Sequence, residues 1–187
     1  MRKLILEEWI SLDGYASDKN GQLDFFPSTE KNKFSDNDQL KFLESVDTIL
    51  LGRKTYDLFV DFWPGATIDK EIIADKINST KKIVFSNTLK KAPWGKWPDV
   101  QIIPGDAVKE INFLKEKEGK NIVMWGSLSL AQSLIKENLI DEYHLQLCPV
   151  VIGGGRLLFP NFDNYKNLKL VSFKKYDTGV IFLKYEI

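Results

Sequence analysis

Thr48-Ile49-Leu50-Leu51-Gly52-Arg53-Lys54-Thr55-Tyr56 is the stretch on which the fold turns. Thr48–Leu51 is a short apolar run without polar alternation, as in a strand buried on both faces. Gly52 ends it, and Arg53 to about Phe59 reads as a helix. A strand running directly into a helix is the repeating step of an α/β fold. Two more strands end in the same way. Lys82-Ile83-Val84-Phe85 stops at Ser86-Asn87. Asn121-Ile122-Val123-Met124-Trp125 stops at Gly126, and Leu130, Ala131, Leu134 and Ile135 then follow at helical spacing.

Working outward, residues 2–12 read as a first strand ending at Asp13-Gly14. Residues 18–34 carry the Asp, Asn, Gly and Pro of a long loop, with a tight turn at Asn20-Gly21. Leu40, Phe42, Leu43 and Val46 predict a helix over 36–46, with Ser35 and Asp36 as candidate caps. Ile68, Ile72, Ile73 and Ile77 predict another, capped by Thr67. Residues 92–98 hold two Pro, two Trp and a Gly, hence a loop. Val100–Ile103 is a strand, and Asp106 caps a helix carrying Val108, Ile111 and Leu114 on one face. Asp141–Cys148 alternates as a strand, Gly153-Gly154-Gly155 breaks the chain, and 168–176 with 180–187 form a hairpin around Asp177-Thr178-Gly179. The whole predicts a three-layer α/β fold whose mixed, mostly parallel sheet has an antiparallel C-terminal hairpin. No repeat or linker divides residues 1–187, so a single domain is expected.

Composition narrows the partners. The 187 residues are 43% hydrophobic and 28% charged, as in an ordinary globular protein. Lys plus Arg and Asp plus Glu number 26 each, so no excess positive field exists to neutralise a nucleic-acid backbone. The single cysteine, Cys148, forms no internal disulfide, consistent with a reducing compartment. Met1-Arg2-Lys3 is followed by only three apolar residues before Glu7-Glu8, and no apolar run has bilayer length. A cytoplasmic protein acting on a small molecule, without nucleic acid or membrane, is the expectation.

The chemistry is expected beyond the carboxyl ends of the parallel strands, where open α/β sheets gather ligands. Gly52-Arg53-Lys54-Thr55, Ser86-Asn87-Thr88 and Gly126-Ser127-Leu128-Ser129 lie at such ends, and two of them open a helix. A helix start offers unpaired amides and a positive dipole end, and glycine allows a close backbone approach. Arg53 and Lys54 add charge suited to phosphate, and Thr55 adds a hydroxyl. Several anion sites on one border point to a ligand with several phosphates, a dinucleotide among them. Each turn taken alone is also ordinary geometry: a strand-to-helix glycine, a Ser127 cap, a solvated Arg-Lys pair. No G-x-G-x-x-G or Walker A loop is present. There is no Cys/His cluster for zinc and no G-x-S-x-G elbow. The one histidine, His144, is expected to be a satisfied or exposed strand residue, and Cys148 a buried small one.

Ser11-Leu12-Asp13-Gly14-Tyr15, Leu51–Tyr56, Ile83–Ser86, and Leu139-Ile140-Asp141-Glu142 leading to Pro149–Gly155, in that order, resemble the dihydrofolate reductase-like superfamily. The closer resemblance is to the C-terminal reductase domain of the riboflavin-biosynthesis protein RibD and its stand-alone relatives. The resemblance implies a dihydrofolate reductase-like fold and an NADPH-dependent reductase moving hydride to a C=N or C=O bond of a small heterocyclic or ribose-like substrate. The alternative is a non-catalytic nucleotide- or ligand-binding protein on the same fold. By the resemblance, Gly52 permits the turn, Arg53 pairs with the extra ribose phosphate, Lys54 and Thr55 contact phosphate, and Ser86 and Asn87 lie near the adenosine. Gly126 and Ser127 stand where the family usually has Gly-Gly under the pyrophosphate, and Leu128 begins the helix. Ser127 is thus a departure from the family pattern.

Asp13 and Gly14 would sit beside nicotinamide and substrate, with Asp13 orienting substrate or relaying a proton; a turn residue with a locally bonded carboxylate is the alternative. Trp9 and Trp125 are candidate pocket walls or core residues. Asp36 and Asp38 lack the surrounding motif for folate, so folate turnover is not expected. Lys19 and Lys31 read as solvated, not as a sugar-phosphate site. A homodimer through the C-terminal hairpin, with Leu168, Leu170, Phe173, Val180, Phe182 and Leu183, competes with an ordinary core role for these side chains.

Overall fold

The computed structural model describes residues 1–26, 33–162 and 165–187. Among these residues ten strands and five α-helices follow in chain order: β1 (Leu4–Ser11), β2 (Tyr15–Ser17), α1 (Lys33–Glu44), β3 (Val46–Gly52), α2 (Arg53–Phe62), α3 (Ala74–Ser79), β4 (Lys81–Phe85), β5 (Gln101–Ile103), α4 (Ala107–Glu116), β6 (Asn121–Met124), α5 (Leu128–Lys136), β7 (Glu142–Cys148), β8 (Arg156–Leu157), β9 (Lys169–Lys175) and β10 (Ile181–Glu186). Eight strands form one sheet in the order β5-β4-β3-β6-β1-β7-β10-β9, while β2 and β8 pair separately. Pairing is parallel from β5 to β7 and antiparallel in β7-β10-β9. The expected three-layer α/β fold with an antiparallel C-terminal hairpin is therefore present.

Alternation inside the parallel strands builds the layers. Leu50 of β3, Ile83 of β4, and Ile122 and Met124 of β6 pack with Ile111 and Leu114 of α4 and Leu134 of α5. Their neighbours Ile49, Leu51, Val84 and Val123 pack with Leu43 of α1, Tyr56 of α2 and Ile77 of α3. Ile49–Leu51, Ile83–Phe85 and Ile122–Met124 are continuously apolar because both faces of these strands are covered. Fully burying one such aliphatic side chain contributes roughly 1.5–3 kcal/mol.

Three expectations are corrected. The helix expected over 67–77 shrinks to α3: Thr67 accepts the amides of Lys70 and Glu71 as a turn, and Ile68 and Ile72 remain exposed. The isoleucine spacing suggested one helix, but only Ile73 and Ile77 are drawn into the core. Helix α1 begins at Lys33, so Asp36 lies in its first turn instead of capping it. The small β2-β8 pair follows the Asp13-Gly14 turn and was not foreseen. Part of the expected 18–34 loop, with Lys31, lies outside the described residues. Among the described residues no helix is long and apolar enough to cross a membrane.

Candidate functional site

Strands β4, β3 and β6 are adjacent and parallel, so Ser86, Gly52 and Gly126 reach one border of the sheet. Gly52 stands opposite Phe85 in the register, and its amide donates to the Gly126 carbonyl at 2.9 Å. A Cβ on Gly52 would lie 2.2 Å from Ser127 Oγ and 2.7 Å from its backbone nitrogen. A Cβ on Gly126, which has φ +70°, would lie 2.6 Å from Thr55 Oγ1. The two strand-to-helix turns thus interlock at a spacing that only glycine allows. The peptide bond between Gly126 and Ser127 is cis.

Both helices that leave this border have open starts. Gly52 and Ser127 are the N-caps of α2 and α5, and neither makes a side-chain capping bond. First-turn amides without a cap retain their donor capacity. Helix α4 differs, because the Asp106 carboxylate accepts the amides of Val108 and Lys109 at 2.9 and 3.3 Å. Arg53 and Lys54 are exposed on the first turn of α2, and Arg53 spends Nε on both oxygens of Asp57 at 2.8 Å. Ser86 Oγ accepts the amides of Thr88 and Leu89, and Asn87 Oδ1 accepts that of Gly105 at 2.6 Å. These two side chains tie the neighbouring loops together beside the turns. Leu128, the first residue of α5, packs against the core.

Next to this border β1 parts from β6. Pairing of β1 with β6 stops at Leu6↔Met124, whereas pairing with β7 runs on to Ser11↔Cys148. From Glu7 onward β1 is paired on one edge only. Glu7 is the first residue past the split, and its Oε2 accepts Trp125 Nε1 and Gln39 Nε2, both at 2.6 Å. Burial raises its pKa to about 7 against the opposing pull of those two bonds. Trp9, half-buried, stacks on Phe26 with centroids 5.2 Å apart.

Asp13 lies beyond the strand end, half-buried, with its carboxylate accepting the amides of Ile152 and Gly153 at 3.3 and 2.9 Å. A bond to the Ser11 side chain and those amides hold its pKa below the usual carboxylate range. This is the geometry of a bracket on the Gly153 loop. Gly14, with φ +85°, makes the turn that leads into β2, the partner of β8.

On the α1 side of β7 and β10 lies a cavity of about 380 Å³, reached by Glu7, Gln39, His144, Gln146, Tyr176 and Phe182 among others. Gln146 Oε1 is buried there with no hydrogen-bond partner among the described residues. His144 is buried against Glu142 at 3.1 Å, and burial holds its pKa down to about 4. Asp38 accepts bonds from Lys174 (2.5 Å) and Tyr176 (2.9 Å) at the rim.

Glu7, Gln39 and Gln146 were not singled out in the sequence. One signal was available: Glu7 and Glu8 interrupt the otherwise apolar run Leu4–Ile10, and a carboxylate in a buried strand calls for a partner or a task.

An α/β sheet with this order, mostly parallel with an antiparallel edge hairpin, is the architecture of dihydrofolate reductase-like proteins. Residues 2–182 match the RibD C-terminal domain family, and the chain belongs to it. It is 34% identical to YyaP of Bacillus subtilis over 98% of this chain and 94% of that one. A Shewanella sp. PV-4 protein assigned to riboflavin biosynthesis superimposes with a TM-score of 0.74 at 25% identity, covering 98% of each chain. Dihydrofolate reductase from Enterococcus faecalis, solved with NADP(H), shares the fold at 16% identity, with a TM-score of 0.63 over 98% of this chain and 95% of that one. Family and fold are those of reductases.

Proposed function

We propose that this protein is a single-domain, NADPH-dependent reductase that transfers hydride to a C=N or C=O bond of a small heterocyclic or ribose-like substrate. The interlock of Gly52 with Gly126 and Ser127 carries the reading. It sets two uncapped helix starts side by side, with Arg53 and Lys54 on one of them. A pyrophosphate needs closely spaced amide donors and positive dipole ends, and these residues fit it. Arg53, with Nε on Asp57, would direct its terminal nitrogens to a ribose phosphate, while Lys54 and Thr55 would meet phosphate oxygens. Ser86 and Asn87 would flank the adenosine, and Gly126, Ser127 and Leu128 the pyrophosphate. The split between β1 and β6 would admit the nicotinamide, with Trp9 and Gly14 on the substrate side. Bound NADPH supplies hydride; the protein orients it and excludes water.

The test is titration with NADPH and NADH by tryptophan quenching, followed by cofactor consumption with a panel of carbonyls and imines. Saturable quenching that favours NADPH, with turnover, is expected. Quenching without turnover on any substrate would indicate a binding protein on this fold, and no quenching removes the cofactor reading. We also propose a homodimer through the C-terminal hairpin. Leu170 and Phe173 of the edge strand β9 are exposed, whereas Val180 is buried and Leu168 and Leu183 pack on the core. A monomeric mass by light scattering at micromolar concentration would overturn it.

A further inference from the structure

We propose that Glu7, held by Trp125 and Gln39 where β1 parts from β6, is the acid that delivers the proton in the reduction. The proposal rests on the reductase reading above and adds a residue to it. Hydride addition to C=N or C=O leaves negative charge on nitrogen or oxygen, and a positioned acid neutralises it. Carbon accepts hydride with its electron pair from the dihydronicotinamide, which is oxidised to the nicotinamide cation. Nitrogen or oxygen accepts the proton as the Glu7 O–H bond breaks. The carboxylate left behind recovers a proton from water.

Position selects Glu7 over the other carboxyls. It is the first β1 residue past the last β1–β6 pair, and its Trp125 partner immediately precedes Gly126. Both bonds given to it converge on Oε2. The side chain lines the cavity into which Gln146 brings a buried oxygen with no partner among the described residues, and Glu7 and Gln146 are only 6% and 5% exposed. Buried polar atoms without partners mark a place where a polar ligand completes the bonding. Asp13 is bound to loop amides beyond the strand end, and Asp38 is tied to Lys174 and Tyr176.

The charges facing Glu7 leave it able to hold a proton. From β7, His144 is neutral at neutral pH, and Glu142 is paired with Lys3 and Lys184. From α1 and β9, Asp38 and Lys174 offset each other. Glu8, next along β1, has its own pKa raised to about 8, chiefly by burial, and so holds its proton at neutral pH. Burial is the main cause of the near-neutral titration.

The test needs no substrate. Ionised Glu7 attracts the cationic ring of NADP⁺ and not the neutral ring of NADPH. Dissociation constants of both cofactors are measured from pH 5.5 to 8.5 for wild type, Glu7→Gln and Glu7→Asp. Apo-protein tryptophan emission is followed in parallel. In wild type the preference for NADP⁺ over NADPH should rise about tenfold through a midpoint near 7, as expected for a charge pair in a partly screened site. The emission should titrate with the same midpoint through Trp125. Glu7→Gln should flatten both curves while keeping NADPH affinity within about twofold, and Glu7→Asp should restore the rise. Cofactor binding whose preference ignores pH, or keeps its pH dependence in Glu7→Gln, overturns the role of Glu7 and leaves the reductase reading standing. Failure to bind either cofactor at any pH overturns both.

Discussion

The Gly52 amide meets the Gly126 carbonyl at 2.9 Å, and the Cα of Gly52 faces Ser127 so closely that no side chain fits between them. Two turns more than seventy residues apart in sequence are thereby locked into one surface. Gly52→Ala must push Ser127 backbone away, because the nearest main-chain atom would sit 2.7 Å from the new methyl. Overpacking of this kind costs about 1–3 kcal/mol. Thermal unfolding should show a melting temperature lower by roughly 2–4 °C per kcal/mol. NADPH affinity should fall as well, since the displaced segment begins α5. A variant with unchanged melting and unchanged cofactor binding would show that the turns move independently.

Arg53→Ala separates binding from stability. The Arg53–Asp57 pair joins successive turns of α2 in solvent, with 43% and 48% of the side chains exposed. Such pairs contribute about 0–1 kcal/mol, so the melting temperature should barely move. A charged hydrogen bond to phosphate contributes roughly 1.5–3 kcal/mol. NADPH should therefore bind at least tenfold more weakly, by fluorescence titration, with a smaller loss for NADH. Equal losses for the two cofactors would place Arg53 away from the extra phosphate.

Glu142 sets the acid limit of the fold. Burial would raise its pKa, but bonds from Lys184, Lys3 and His144 prevail and hold it at about 2. Its unfolded value is near 4.5. A depressed carboxylate contributes stability that is complete above the unfolded value and is lost as pH falls toward 2. Half of the Lys3 side chain is exposed, so screening reduces the contribution to about 2 kcal/mol. Urea unfolding of wild type should weaken between pH 4.5 and 2. Glu142→Gln should be less stable at pH 7 and flatter across that acid window. Parallel curves for the two proteins would remove Glu142 from the acid response.

The parallel half of the sheet was legible in the sequence because burial on both faces leaves a simple trace. Ile49–Leu51, Ile83–Phe85 and Ile122–Trp125 are continuous apolar runs, each closed by Gly or Ser. The border they form could be located before any coordinates, and so could the Asp106 cap, whose carboxylate bonds are local. Asp13 was recognisable as special, but its partners Ile152 and Gly153 lie across the chain, and spacing along the sequence does not reveal them. Glu7 was hidden for a related reason. Its meaning depends on β6 stopping one residue short of it and on Gln39 reaching over from α1, both facts of tertiary pairing. The isoleucines at 68–77 misled because periodicity reports a face and not whether anything covers it.

Glu7 also leaves a mark on stability that is separate from cofactor chemistry. Its folded pKa lies near 7 and its unfolded value near 4.5, so the folded state holds the extra proton between them. Stability then falls as pH rises through that window and levels off once both states are ionised. The full shift corresponds to about 3 kcal/mol, with burial as its main cause. Glu7→Gln removes the ionisable group while keeping an oxygen for Trp125 Nε1. Against wild type it should be close in stability at pH 5 and more stable by up to about 3 kcal/mol at pH 8.5, read from urea midpoints at constant m-value. A residue kept at such a cost above neutral pH fits a task that needs a buried, protonatable carboxyl. If the gap between the two proteins does not widen with pH, Glu7 is ionised throughout, and the structure holds a paired carboxylate there instead of an acid.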